Sequence, residues 1–271
     1  MKLKINNIDI ESILFSGACF RAVKEIDGSI TNILKDRVIN IKQDGNIIDI
    51  KSSNYDNLEN IIRDYFDLNR DYNSINKKLI KLDSSIKEMV DNCSNYRILN
   101  QDSFEMFISY IISQNNNVKR ISKSINELCI RYGKKVFFNN KEYYLFPEYD
   151  DIKDISVEEL RSIGLGFRDK YIRDFLDKYD SLKEIDKLST KDALDKLMSV
   201  KGIGLKVASC ILLFGYKRLD VFPIDTWVKH YMHDNYNLKE DQKVIEKYIN
   251  EKYKEYSGLV IQYMFHYNRN L

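Results

Sequence analysis

The sequence predicts an α+β protein, with an antiparallel sheet at its N-terminal end packed on a mostly helical remainder. Three observations predict it. β-branched runs flank a turn signal in the first fifty residues, and apolar spacing takes a helical period from about Asp56. A glycine hairpin then joins two apolar stretches near residue 203.

Taken in order, Cys19 to Val23 and Ser29 to Leu34 read as neighbouring strands. Val38–Ile41 and Ile47–Ile50 flank Gln43-Asp44-Gly45-Asn46, and Asp-Gly between β-branched runs is a hairpin signal. Ile61, Ile62, Tyr65 and Phe66 recur at helical spacing, as do Phe104, Phe107, Ile108, Ile111 and Ile112. Further helices are expected over 118–132, 157–162, 169–179, 191–199, 205–214, 226–233, 240–252 and 258–267, with a short β excursion between Val136 and Leu145. A soft break near residue 97, unmarked by any Pro- or Gly-rich linker, divides the chain into 1–97 and 98–271, two closely packed parts.

Composition narrows the function classes. No apolar run approaches the ~20 residues of a membrane span, and the start lacks the apolar stretch of a signal peptide, so a cytoplasmic protein without membrane contact is expected. Cys19, Cys93, Cys129 and Cys210 form no C-x-x-C pair and have no nearby histidine, which fits neither zinc nor an iron–sulfur cluster; no metal or cofactor is expected. Lys and Arg exceed Asp and Glu by only two (43 against 41), so any nucleic-acid contact must use a local face and backbone N–H groups.

The most informative segment runs from Val200 to Val228. Gly202-Ile203-Gly204 allows a tight turn whose N–H groups approach an anion. Lys206 falls in the first turn of the next helix, where the positive dipole end and lost hydration are both expected to favour a neutral amine. Asp225 follows Pro223 and opens a further helix, so the chain can fold back and bring its carboxylate near Lys206. An amine nucleophile beside a carboxylate, on a phosphate-gripping turn, points to chemistry on a nucleic-acid sugar. Each residue also has a plainer reading: a solvated lysine, a helix-capping aspartate.

This arrangement resembles the helix-hairpin-helix DNA glycosylases with a Gly/Pro…Asp loop, and within them the 8-oxoguanine DNA glycosylase/AP lyase family. Ser16-Gly17-Ala18-Cys19-Phe20-Arg21, Ser113 through Arg120, Leu165-Gly166-Phe167-Arg168 and Gly258 through Phe265 resemble further segments of that family, in its order. The resemblance implies a sheet subdomain over 1–97 and a helix-hairpin-helix glycosylase domain over 98–271. It implies a monomer acting on double-stranded DNA that contains an oxidised guanine. The activity implied is excision of 8-oxoguanine, preferentially opposite cytosine, followed by β-elimination.

Residue by residue, the resemblance assigns Lys206 the attack on the sugar C1′, through a Schiff base, and Asp225 the stabilisation of the sugar cation. Cys210, one helical turn beyond Lys206, and Phe265 would sandwich the flipped base, although each alone reads as core. Gly17 would offer its carbonyl to the N7 proton that 8-oxoguanine has and guanine lacks. Asn115 would fill the vacated stack, with Arg120 contacting the estranged cytosine and Phe167 wedged beside it. Gly202 and Gly204 would present N–H groups to phosphates.

Two positions depart from the better-known members. Trp227 stands where some relatives carry a histidine near the DNA backbone. Ile261 stands where a base-reading glutamine is expected, with Gln262 one step on. Either Gln262 reaches the base through a helix shift, or selectivity for guanine-type edges is relaxed. Two alternatives stand beside this assignment: an alkylpurine glycosylase working by aspartate and water, which has no need of Lys206, and a non-catalytic helix-hairpin-helix DNA-binding module.

Overall fold

The computed structural model describes residues 1–269. Strands β1 (Lys2–Lys4), β2 (Val23–Lys24), β3 (Ile30–Leu34), β4 (Arg37–Asp44) and β5 (Ile47–Ser52) form one antiparallel sheet in the order β1-β5-β4-β3-β2. The β4–β5 turn pairs Asp44 with Ile47, and Gly45 takes a φ of +56°, the left-handed conformation that a first central hairpin position demands. Ile39, Ile41, Ile48 and Ile50 are buried.

Two edges differ from expectation. Of the expected Cys19–Val23 strand only Val23 pairs with β3, joined by Lys24 just beyond it. Residues 15–22 instead run as a strap between helix α1 (Ile10–Leu14) and the sheet. Two long-range bonds tie it down: Gln101 Nε2 donates to the Ala18 carbonyl at 2.9 Å and Arg21 Nη2 to that of Tyr144. Strand β1 escapes sequence reading because its three residues hold one apolar side chain, Leu3.

Helices follow: α2 (Leu58–Tyr65), α3 (Tyr72–Leu82), α4 (Lys87–Asn92), α5 (Ser103–Ser113) and α6 (Val118–Tyr132). The aromatic excursion is a two-stranded ribbon, β6 (Lys135–Phe138) with β7 (Lys141–Tyr144). Then come α7 (Tyr149–Ile152), α8 (Val157–Ser162), α9 (Asp169–Leu182), α10 (Thr190–Met198), α11 (Leu205–Gly215), α12 (Thr226–Tyr236), α13 (Gln242–Tyr253) and α14 (Ser257–Arg269).

Helix α5 is buried from Met106 to Ile112, and α11, which packs against it, from Val207 to Phe214. Two such helices can exist only at the centre, since neither has a polar face to turn outward. Stacked rings join them to their neighbours: Phe107 on Phe175 of α9, and Tyr110 on Phe214 of α11.

The last helices return to the N-terminal half. Tyr263 donates to Asn76 Oδ1 at 2.9 Å, and Cys93 Sγ to the Tyr263 carbonyl at 3.5 Å. Asp83 is the fixed point of this closure, taking Tyr253 Oη–H at 2.6 Å and pairing with Lys252 at 2.7 Å. Burial alone would raise the Asp83 carboxyl, but hydrogen bonds from Lys252, Ser85 and Tyr253 outweigh it and hold it at about 2.

A carboxyl held below its ordinary value contributes stability that is present above that value and lost as pH falls through the lowered one. Asp83→Asn should therefore lower unfolding free energy at pH 7 by about 2 kcal/mol. In urea titrations the gap between wild type and variant should close as the pH falls from about 4 to about 2.

Candidate active site

The hairpin between α10 and α11 is docked onto α9. Asp174 of α9 accepts the Lys201 N–H at 2.7 Å, and Lys178 bridges Asp174 and the Ser199 carbonyl, each at 2.8 Å. Gly202 has a φ of +82°, and a Cβ there would lie 2.3 Å from the Tyr171 ring. No side chain caps the start of α11, whose N-cap is the exposed Gly204. Its first N–H groups are thus available to an anion.

Lys206, in the first turn of α11, stands at a cavity of about 770 Å³. The same cavity is lined by Asp225, Cys210, Phe265, Gln262, Trp227 and Gly17. The elements that bring them together are α11, the Pro223–Asp225 approach to α12, α14 and the 15–22 strap. Gly258 makes the junction possible: its N–H donates to the Leu219 carbonyl at 2.7 Å, and a Cβ there would lie 2.2 Å from the Val221 carbonyl.

Asp225 caps α12, accepting the Val228 N–H at 2.9 Å, so the capping reading and the catalytic one share a residue. The cap bond fixes the carboxylate toward the cavity without consuming both its oxygens. Burial pushes the Cys210 thiol up to about 11; nearby Lys206 pulls against this and Asp225 adds to it. Cys210 is a neutral, apolar wall in physiological buffer.

Two expectations need correction. Lys206 is exposed, so the lost hydration expected at this position is absent from the free protein. Ile261 is fully buried and lies outside the cavity, so it does not face a base edge. Adjacent helical residues diverge by ~100°, so the face that puts Gln262 in the cavity turns Ile261 into the core. Gln262 is 8% exposed, and its amide has no protein partner among the described residues. Trp227, which the resemblance sets near the DNA backbone, stands in the cavity wall with its ring stacked on Phe265 at 4.2 Å and on Tyr231 at 5.1 Å.

A second group lies along α9 and the loop after α5. Phe167 is half-exposed, with the Arg168 guanidinium 4.4 Å from its ring centroid. Arg168 is buried and donates from Nε to the Gln114 carbonyl and from Nη2 to the Asn115 carbonyl, both at 2.9 Å. Asn115 has a φ of +47°, and Arg120, whose N–H is capped by Asn117, carries a charge felt by Arg168. Tyr171 closes the circuit, edge-on to Phe167 at 5.8 Å and packed against Gly202.

Sequence reasoning gives no role to Arg168, although it ends the Leu165–Arg168 segment. It also missed Tyr96, whose ring lies 4.8 Å from that of His266 in the cavity wall. Nothing in the local pattern around Tyr96 marks it.

Comparison with known proteins agrees with this geometry. The family model for the 8-oxoguanine DNA glycosylase N-terminal domain matches residues 1–107, and that for HhH-GPD superfamily base excision DNA repair proteins matches residues 108–255. The apo 8-oxoguanine glycosylase/lyase of Clostridium acetobutylicum superposes with a TM-score of 0.92 at 34% identity, over 97% of this chain and 94% of that one. The same enzyme with double-stranded DNA containing cytosine opposite 8-oxoguanine gives 0.90 at 34% identity, over 98% and 93%. A probable N-glycosylase/DNA lyase of Methanothermobacter thermautotrophicus is 30% identical over 213 residues, 69% of this chain and 68% of that protein. The chain spans about half the length, 53%, of the corresponding Saccharomyces cerevisiae and Arabidopsis thaliana proteins.

Fold and site together define a helix-hairpin-helix DNA glycosylase. Within that class the chain belongs to the 8-oxoguanine DNA glycosylase family, repair enzymes that combine N-glycosylase and DNA lyase activities.

The positions of Ile261 and Gln262 separate stability from recognition. Ile261→Val should cost about 0.5–1.5 kcal/mol of folding stability and leave affinity for 8-oxoguanine DNA unchanged. Gln262→Ala should weaken that affinity by about 1–3 kcal/mol with little change in unfolding. Denaturant titration and fluorescence-anisotropy binding read the two effects separately.

Proposed function

We propose that this protein excises 8-oxoguanine from double-stranded DNA, preferentially opposite cytosine, and then cleaves the strand by β-elimination. The convergence of Lys206 and Asp225 on one cavity with Cys210, Phe265, Gln262 and Gly17 supports this reading. A base flipped into that cavity lies between a neutral thiol and an aromatic ring. The Gln262 amide meets its edge, and the strap carrying Gly17 meets its N7 side.

The Lys206 amine attacks C1′ as the base departs, and the Asp225 carboxylate offsets the positive charge that develops on the sugar. Opening of the sugar ring gives the Schiff base, which acidifies C2′ and allows elimination of the 3′ phosphate. Only a neutral amine attacks. Because Lys206 is exposed in the free protein, the water that solvates it is displaced when DNA closes the cavity mouth. On the opposite strand, Phe167 wedges the stack, and Asn115 with Arg120 contacts the unpaired cytosine. An aspartate-and-water glycosylase has no use for a lysine at the cavity mouth, and a simple binding module has no use for the cavity.

Lys206→Gln should abolish both base release and strand nicking while lesion-DNA affinity stays within about threefold, since a polar side chain remains at the cavity mouth and the nucleophile is removed. Single-turnover excision and gel-shift measurements check both halves; normal turnover by the variant sinks the assignment.

Asn115→Gly, which keeps the left-handed backbone, and Arg120→Ala should flatten the ranking of excision opposite C, A, G and T. The expected loss is about 1–3 kcal/mol of discrimination, the worth of good contacts to one base. A ranking unchanged in both variants contradicts these roles.

A further inference from the structure

A second cavity, of about 610 Å³, lies between β3, α2 and the start of α5, and it shares no lining residue with the first. Ile33, Leu34, Ile61 and Tyr65 give it apolar walls, and Arg21 and Glu105 give it charge. Arg21 is only 6% exposed. Its Nη2 donates to the Tyr144 carbonyl, but Nε and Nη1 have no hydrogen-bond partner among the described residues. Buried cationic donors left in this state are rare because nothing replaces the water they lost.

Glu105 is half-buried and makes no ion pair within 4 Å among the described residues, so its carboxylate is a matching unmet acceptor. Burial pushes it up to about 7 even with Arg21 nearby. The other charged groups around the cavity already have partners: Asp36 holds Arg37, Asp64 holds Lys217, and Asp102 pairs with Lys35. The Tyr65 hydroxyl is held by Asn32. Arg21 and Glu105 thus form an unfilled donor and acceptor inside an apolar slot.

We propose that this cavity binds a small planar molecule with a lactam edge, a ring carbonyl beside a ring N–H, as an oxopurine presents. The carbonyl takes the Arg21 donors, the N–H donates to Glu105, and the ring faces the Tyr65 and isoleucine walls. The site is coupled to the first cavity through the backbone. Gly17 lines one cavity and Cys19 the other, and Gln101, which lines the second, donates to the carbonyl of Ala18 between them. An occupant therefore bears on the strap that positions Gly17.

The test is titration of the full chain, labelled at Ile and Leu methyls and backbone amides, with hypoxanthine, followed by NMR. Ile33, Leu34 and Ile61 line only this cavity, so their methyls report on it alone. The expected result is a saturable shift of these methyls with a Kd below about 1 mM, accompanied by the Gly17 amide. Glu105→Leu should weaken binding at least about tenfold with a dispersed spectrum retained, and Ile61→Trp, which fills the space, should abolish it. Methyls unmoved by millimolar hypoxanthine overturn the site. Equal shifts with adenine, whose edge has the opposite donor–acceptor order, overturn the lactam assignment, and a stationary Gly17 amide overturns the coupling.

Discussion

The placement of Lys206 depends on one docking: the glycine hairpin against α9. Between its glycines this turn has only Ile203 to bury in the core, so much of its geometry must be imposed from outside. Asp174 does so through the Lys201 N–H, Lys178 secures the Ser199 carbonyl, and the Tyr171 ring fills the space where any side chain at Gly202 would sit. Helix α11 then leaves the turn with its N-terminus uncapped and its apolar body locked against α5. Lys206 and Cys210, one turn apart, inherit their directions from that lock. Because Tyr171 also touches Phe167, the same helix that fixes Lys206 fixes Phe167.

The other half of the cavity comes from the far end of the chain. Helix α14 brings Gln262 and Phe265, and it is anchored by Tyr263 to Asn76 and by α13 to Asp83. The close approach of Gly258 to the Leu219–Val221 backbone ties α14 to the segment that delivers Asp225. Two residues thirty-seven apart in sequence, Asp225 and Gln262, thus reach one cavity through a single glycine contact.

Elements with strong periodicity were legible in the sequence: α6 and α8 span the expected 118–132 and 157–162, where the structure adds the Asn117 and Ser156 caps. The hairpin, Lys206, Asp225 and Cys210 were legible because their spacing is local. Three kinds of feature were not. The strap at residues 15–22 resembles a strand in composition, and only long-range bonds from Gln101 and Arg21 reveal its course. Ile261 and Gln262 differ by one helical step, which depends on how α14 docks rather than on its own pattern. Lys206 exposure depends on what surrounds the cavity mouth, and no spacing rule reports it.

That exposure shapes the chemical account. The free protein holds Lys206 in water and Asp225 in a fixed cap bond, and in the proposed mechanism DNA is the component that excludes solvent. The most direct measurement is therefore covalent: borohydride reduction of the protein with 8-oxoguanine DNA, followed by proteolysis and mass spectrometry of the adduct. The account predicts a single sugar adduct on the Lys206 Nζ. An adduct on Lys201 or at another amine, or base release with no adduct at all, would contradict it.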